Sequence, residues 1–185
     1  MADAFSQETI TRLAAQLREP AWITQLRKTA FERHQSLAWP HVSDDIWRRT
    51  DITLLDPTKA FHFSEPGLLH AIPLSDAQLA ALTRPLADER FFVRADGQWL
   101  KEDRLDKVHV ETLAEAAQHV PEQLKGILEA DGLTVSEQKL VSLNEAFHHD
   151  DLVIRVEPGF AEASPIRIIR SLSAKEKQAL FCLRY

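Results

Sequence analysis

Four consecutive residues carry the densest potential for chemistry in this chain: His148, His149, Asp150 and Asp151, within the run "LNEAFHHDDLVIRVEPG". Two imidazoles beside two carboxylates could ligate a divalent ion, or pass a proton between a base and an acid. Neighbouring residues on a regular strand point to opposite faces, so His148 and His149 could not reach one ion from a strand. Within a turn they could, with Asp150 or Asp151 as a third ligand. One expectation is therefore a small metal-dependent enzyme using these four residues. The other is a polar turn in front of a structural strand.

No other constellation competes. His34, His41, His62, His70, His109 and His119 form no H-E-x-x-H pair or similar helix-borne couple. There is no G-x-S-x-G elbow, and Cys182 is the single cysteine, so neither an intramolecular disulfide nor a Cys-based zinc site can form. Gly67, Gly97, Gly126, Gly132 and Gly159 are isolated and build no phosphate-binding loop. The net charge is −6, and the densest basic spots, Arg48-Arg49 and Lys175 to Lys177, are flanked or interrupted by acids, so no nucleic-acid partner is expected. Trp22, Trp39, Trp47 and Trp99 read as packing residues rather than a binding platform. "MADAFSQETI" has an acid where a signal peptide needs positive charge, and no run approaches ~18 apolar residues. The expected location is the cytoplasm, with no membrane contact.

The elements that must hold these residues follow from hydrophobic periodicity. Apolar residues make up 44% of 185, enough for a buried core. Ile10, Leu13, Ala14 and Leu17 mark one helix face, with Ser6 as its N-cap. A second helix follows Pro20, burying Ile23, Leu26, Ala30 and Leu37 and turning Arg27, Lys28, Glu32 and Arg33 to water. The residue before Pro40 is pushed away from helical geometry, which ends it. Residues 41 to 74, with Pro57, Pro66, Gly67 and Pro73, read as an irregular stretch pinned by Trp39, Trp47, Phe61 and Phe63. Ser75 caps a short helix through Leu79, Ala80 and Leu82. "RFFVRADGQWLK" reads as a solvated hairpin turning at Asp96-Gly97. Two more helices, split at Pro121, carry Leu113, Ala116, Ala117 and Val120, then Leu124, Ile127 and Leu128.

From about Lys139 the period turns strand-like. Runs beginning at Leu152, Ile166 and Leu180 lie 14 residues apart with turns between, which suggests a β-solenoid, sandwich or barrel. The sequence ends at Tyr185 inside such a run, and a sheet left open there exposes an edge that invites pairing. These residues assign no active site.

The stretch "LNEAFHHDDLVIRVEPGFAEASPIRII" resembles the signature of the SufB/SufD family of iron–sulfur cluster assembly proteins, which runs roughly L-N-x-A-F-x-x-D-G-x-x-I-x-V-P-x-G-V-x-x-x-x-P-I. Leu143, Asn144, Ala146, Phe147, Asp150, Ile154, Val156, Gly159, Pro165 and Ile166 fill the matching places. Asp151 stands where the family has glycine, and "VEPG" shifts the proline. "EPAWITQLRKTAFERHQSLAWP" resembles the family's E-P-x-W helix, with Trp22, Arg27 and Ala30 at its spacing. "WRRTDITLLD", the hairpin "FFVRADGQWLKEDRL" and the helix "VHVETLAEAAQHVPEQLKGIL" resemble SufD segments in the same order.

The resemblance implies an α+β fold: an N-terminal helical region over residues 1–135 with a hairpin at about 90–101, then the first coils of a right-handed parallel β-helix over 136–185. In that fold Leu143, Phe147, Ile154 and Val156 would be core residues and His148 to Asp151 a turn. It implies a SufD-like scaffold that acts through protein–protein contacts with SufB-like and SufC-like proteins, the latter an ATPase, rather than an enzyme. An uncapped β-helix leaves room for self-association. The family's cluster-associated Cys and His belong to later coils, so no catalytic, cofactor-binding or metal residue transfers, and no cofactor is implied for this chain.

Overall fold

The computed structural model describes residues 5–50, 62–63, 74–85, 88–128, 135–161, 163–171 and 179–180. Phe61, Pro57, Pro66, Gly67, His70, Pro73, Gly132, Lys175, Lys177 and Cys182 lie outside the described residues, as does the run 181–185. What is described is a mixed α+β structure with small sheets, none of them closed.

Helix α1 spans Gln7–Leu17, and Ser6 caps it as expected: its Oγ accepts the Thr9 N–H at 3.2 Å. The helix ends on Arg18, left-handed at φ 56°, whose N–H returns to the Ala14 and Ala15 carbonyls. Pro20 is the extended residue just before α2, Ala21–Ser36. The buried face of α2 is Ile23, Arg27, Ala30, Phe31 and His34. Arg27 is therefore not on the wet side. It shares the stripe of Ile23 and Ala30 at i+4 and i−3, and spacing outweighed side-chain type. Beyond Leu37, residues 41–50 form successive turns, closed by bonds such as Trp47 N–H to the Asp44 carbonyl at 2.9 Å.

Helix α3, Asp76–Leu82, carries the expected Ser75 cap as a full capping box with Gln78, yet it buries none of its residues. Helices α4, Leu113–His119, and α5, Pro121–Leu128, meet at Pro121 as the sequence requires, α4 opening on a Thr112–Glu115 capping box. Helix α6 runs Val135–Phe147. The change to strand expected at about Lys139 does not occur there. Among the described side chains, Lys139, Ser142, Leu143, Ala146 and Phe147 are buried, and that spacing is helical.

Strands are short. β1 is His62–Phe63, β2 Arg90–Ala95, β3 Gln98–Glu102, β4 Val108–Thr112, β5 Leu152–Val156, β6 Ile166–Ser171 and β7 Ala179–Leu180. β2 and β3 form the expected hairpin, with Asp96 at φ 46° and Gly97 at φ 81°, the two positive angles a type I′ turn needs. It is not a solvated hairpin: Phe91, Phe92, Val93 and Arg94 are all buried, and β2 is a central strand, with β6 paired in parallel along its other edge, Phe92 opposite Ile168. β5 pairs antiparallel with β4, Ile154 opposite Val110, and β7 pairs in parallel with β1. The strands spaced 14 residues apart thus each pair with an earlier strand among the described residues.

Two apolar clusters lie along the buried face of α2. Toward its C-terminal half Phe147 meets Phe5 and Phe31 edge-on, with ring centroids 4.9 and 5.3 Å away, beside Ile10, Leu13, Ala30, Leu143 and Ala146. Each such aromatic pair is worth about 0.5–1.5 kcal/mol beyond its buried area. Toward its N-terminal end Ile23 packs with Leu113, Ala116, Ala117 and Leu124, backed by Trp22 and Val153. Ile154 and Val156, expected in the core, are 49% and 51% exposed, since a two-stranded sheet turns one face outward. Leu152 is the buried residue of β5.

Candidate functional site

Helix α6 delivers the His148–Asp151 run into the centre of the molecule. Its last backbone bond is the His148 N–H to the Asn144 carbonyl at 2.7 Å, and the chain then reverses through Asp150, left-handed at φ 56°. Aspartate tolerates this region better than most residues, because its short side chain bonds locally. The positive angle falls on Asp150 and not on Asp151, so the position where the SufB/SufD pattern has glycine needs no glycine here.

All four residues are buried. Burying ionisable groups is unfavourable unless each is matched, and each carboxylate here has partners. Asp150 is clamped between two arginines of the β3–β2–β6 sheet: Arg94 Nε on one oxygen, and Arg170 Nη2 on the other at 3.0 Å. Asp151 takes the other direction and receives a hydrogen bond from His148 Nδ1. Behind His148 lies Arg27, with Nη2 at 3.5 Å from Nδ1. Arg27 makes a two-pronged pair with Glu19, Nε to Oε2 at 2.8 Å and Nη2 to Oε1 at 2.5 Å, and donates from Nη1 to the Ala146 carbonyl at 3.2 Å. His149 Nδ1 lies 3.4 Å from the Phe147 carbonyl.

The charges balance. Glu19, Asp150 and Asp151 carry three negative charges, and Arg27, Arg94 and Arg170 carry three positive ones. The set is neutral only if both histidines are neutral. Burial, then the Arg27 charge, hold His148 below the ordinary histidine range, although Asp151 pulls the other way. Burial likewise lowers His149, against its carbonyl contact and the two aspartates. For Asp151 burial works against ionisation, but the contact with His148 and the Arg27 charge outweigh it and hold the carboxyl below its usual value. A neutral His148 paired with an ionised Asp151 carries its proton on Nδ1, the nitrogen that faces the carboxylate.

This arrangement separates the four residues that the sequence set side by side. Asp150 faces the sheet, while His148 and Asp151 face α2. Among the described residues no group of three or more His, Cys, Asp or Glu is disposed to hold a metal ion. A metal would have to displace guanidinium groups from Asp150 and His148 from Asp151. A polar cleft of about 480 Å³ opens elsewhere, lined by Arg90, Asp103, Arg104, Leu105, Asp106 and Phe160, and contains none of them.

Sequence reasoning missed Glu19, Arg27, Arg94 and Arg170 as members of the cluster. The signal for Arg27 was its place on the Ile23–Ala30 stripe, and for Arg94 its place two residues from Phe92. Nothing in the sequence brought Glu19 or Arg170 to them. Trp39 packs at the end of α2: it stands edge-on to His34, ring centroids 6.4 Å apart, and Lys139 Nζ lies 5.8 Å from the ring centroid. Lys139 also donates to the His34 and Leu37 carbonyls at 2.6 and 2.8 Å, capping α2 in place of water.

Fold and site together define a mixed α+β protein with a buried, charge-balanced turn joining its helices to a sheet. Compared with family models, curated proteins and solved structures, the chain matches none of them. No helix among the described residues is long and apolar enough to cross a membrane.

Proposed function

We propose that the chain is a SufD-like scaffold component of cytoplasmic iron–sulfur cluster assembly, working through protein–protein contacts with SufB-like and SufC-like proteins, the latter an ATPase, without a catalytic residue of its own. One observation carries the reading. The two segments with the most specific resemblance, "EPAWITQLRKTAF" and "LNEAFHHDD", lie more than a hundred residues apart, and their matching residues meet in space. Arg27 reaches the Ala146 carbonyl from a two-pronged pair with Glu19, and Ala30 packs in one buried cluster with Leu143, Ala146 and Phe147. Motif positions that interlock in one buried network are what a shared structural signature requires, whereas unrelated matches have no reason to converge.

The parallel pairings of β6 with β2 and of β7 with β1 support a second part of the proposal, that these strands are rungs of an opening β-helix coil. Co-expression of the tagged chain with the SufB-like and SufC-like proteins of its own genome tests the function. The expected result is a complex containing the SufB-like protein after affinity purification and gel filtration. A chain that elutes alone at micromolar concentration from such a mixture would sink the scaffold reading.

A further inference from the structure

We propose that the His148–Asp151 turn is a proton-operated latch between the helical core and the β3–β2–β6 sheet. The turn holds both sides at once. His148 and Asp151 bind it to the Glu19–Arg27 pair at the α1–α2 corner, and the adjacent Asp150 holds Arg94 of β2 and Arg170 of β6. Phe91, Phe92 and Val93 of β2 are buried, so apolar packing also holds the sheet, and the Asp150 clamp is the buried ionic tie between it and the turn.

The latch responds to protons because its charges balance only with neutral imidazoles. Among the described residues, the charged groups facing the two histidines include Glu19 of the α1–α2 corner, Arg27 of α2, and Asp150 and Asp151 of the turn; Arg94 and Arg170 reach Asp150 from the sheet, and Glu115 of α4 acts on Arg94 from the exposed side. A proton on His148 or His149 puts a seventh charge into a buried set of six. Water relieves that charge only if the turn swings outward. Asp150 moves with its neighbours, and Arg94 and Arg170 lose the carboxylate they share.

Linkage fixes the direction. In the open form the histidines titrate near the ordinary 6.5. In the closed form they titrate lower, so opening takes up protons as pH falls below that value. The opening constant then rises by roughly tenfold per pH unit for each histidine, up to about a hundredfold for both. The carboxylates contribute only in stronger acid.

Hydrogen exchange of the full chain tests this between about pH 7.5 and pH 5, corrected for the intrinsic pH dependence of exchange. The expected result is loss of protection in 90–95 and 166–171 on acidification, at roughly tenfold or more per pH unit, with the amides of α2 and α6 the better protected at every pH because they exchange only through global unfolding. In His148→Gln/His149→Gln the pH dependence should vanish. Asp150→Asn should leave the sheet open at every pH, with the helical amides still protected. Two outcomes overturn the latch: sheet and helix amides with the same protection at every pH, as one global unfolding event would give, or wild-type sheet exchange without pH dependence. The wild-type arm decides the matter even if the double variant fails to fold.

Discussion

Arg27 shows how a charged residue becomes a core residue. Its side chain is nearly fully buried, and its cost is met by Glu19, by the Ala146 carbonyl and by the carboxylates around His148. Arg27→Ala leaves Glu19 buried without its partner, and stability measured in urea should fall by about 3–5 kcal/mol. Glu19→Leu combined with Arg27→Leu removes both charges, and should recover most of that loss. If the double variant is no more stable than the single one, the Glu19–Arg27 pair is not the dominant contact of Arg27. Asp150 sets two effects against each other. Glycine at φ 56° would relieve about 1–2 kcal/mol of left-handed strain, partly offset by its greater freedom in the unfolded chain. Losing a carboxylate that serves two buried guanidiniums costs about 3–5 kcal/mol. The second effect wins, so Asp150→Gly should destabilise the protein by about 2–4 kcal/mol, whatever comfort it brings to the backbone.

Elements with equally good caps differ in what their loss would cost. Ser6 caps α1, which places Ile10 and Leu13 in the main cluster, while Ser75 caps α3, which buries nothing. Replacing either serine by alanine removes a cap worth about 1 kcal/mol to its helix. Only Ser6→Ala should appear in the global unfolding free energy, at about that size. Ser75→Ala should raise amide exchange in 76–82 and leave the urea midpoint unchanged. Equal global effects from the two serines would show that α3 is coupled to the core after all. The hairpin makes the same point from the other side. Its turn was legible from Asp96-Gly97, but its burial was not, because β6 is more than sixty residues away in sequence and supplies the second neighbour of β2.

At the scale of the molecule, acid should loosen the fold in two stages. His34, His148 and His149 all have folded-state values below 6.5, chiefly through burial. A histidine held neutral by the fold binds its proton more readily in the unfolded chain. Stability is therefore fully present above 6.5 and declines as pH falls through it, by up to about 1.4 kcal/mol per pH unit for each histidine. Asp151 and Glu115 are lowered carboxylates; burial opposes both, and is outweighed by His148 and Arg27 at Asp151 and by the Thr112 cap at Glu115. Their contribution is present above the unfolded values of 3.8 and 4.5 and is lost only as pH falls through the lower folded ones. Urea midpoints measured from pH 8 to pH 3 should hold steady, drop below about 6.5, and drop again below about 4. A midpoint that stays flat to pH 5 would contradict neutral, buried histidines.

Several features needed no tertiary structure. Ser6, Ser75 and the break at Pro121 follow from caps and from proline's missing N–H, and Asp96-Gly97 from the positive φ that only a few residues accept. These are local rules, acting within a few residues. The helix Val135–Phe147 also lay in the sequence, as the spacing from Lys139 to Phe147, but the strand run after it masked where the period changes. The character of His148 to Asp151 was not local. Whether adjacent imidazoles and carboxylates form a metal site, a solvated turn or a buried clasp depends on what opposes them. The opposing groups, Glu19, Arg27, Arg94 and Arg170, come from four separate parts of the chain. Burial and long-range charge are sums over neighbours, and only the folded chain says who the neighbours are.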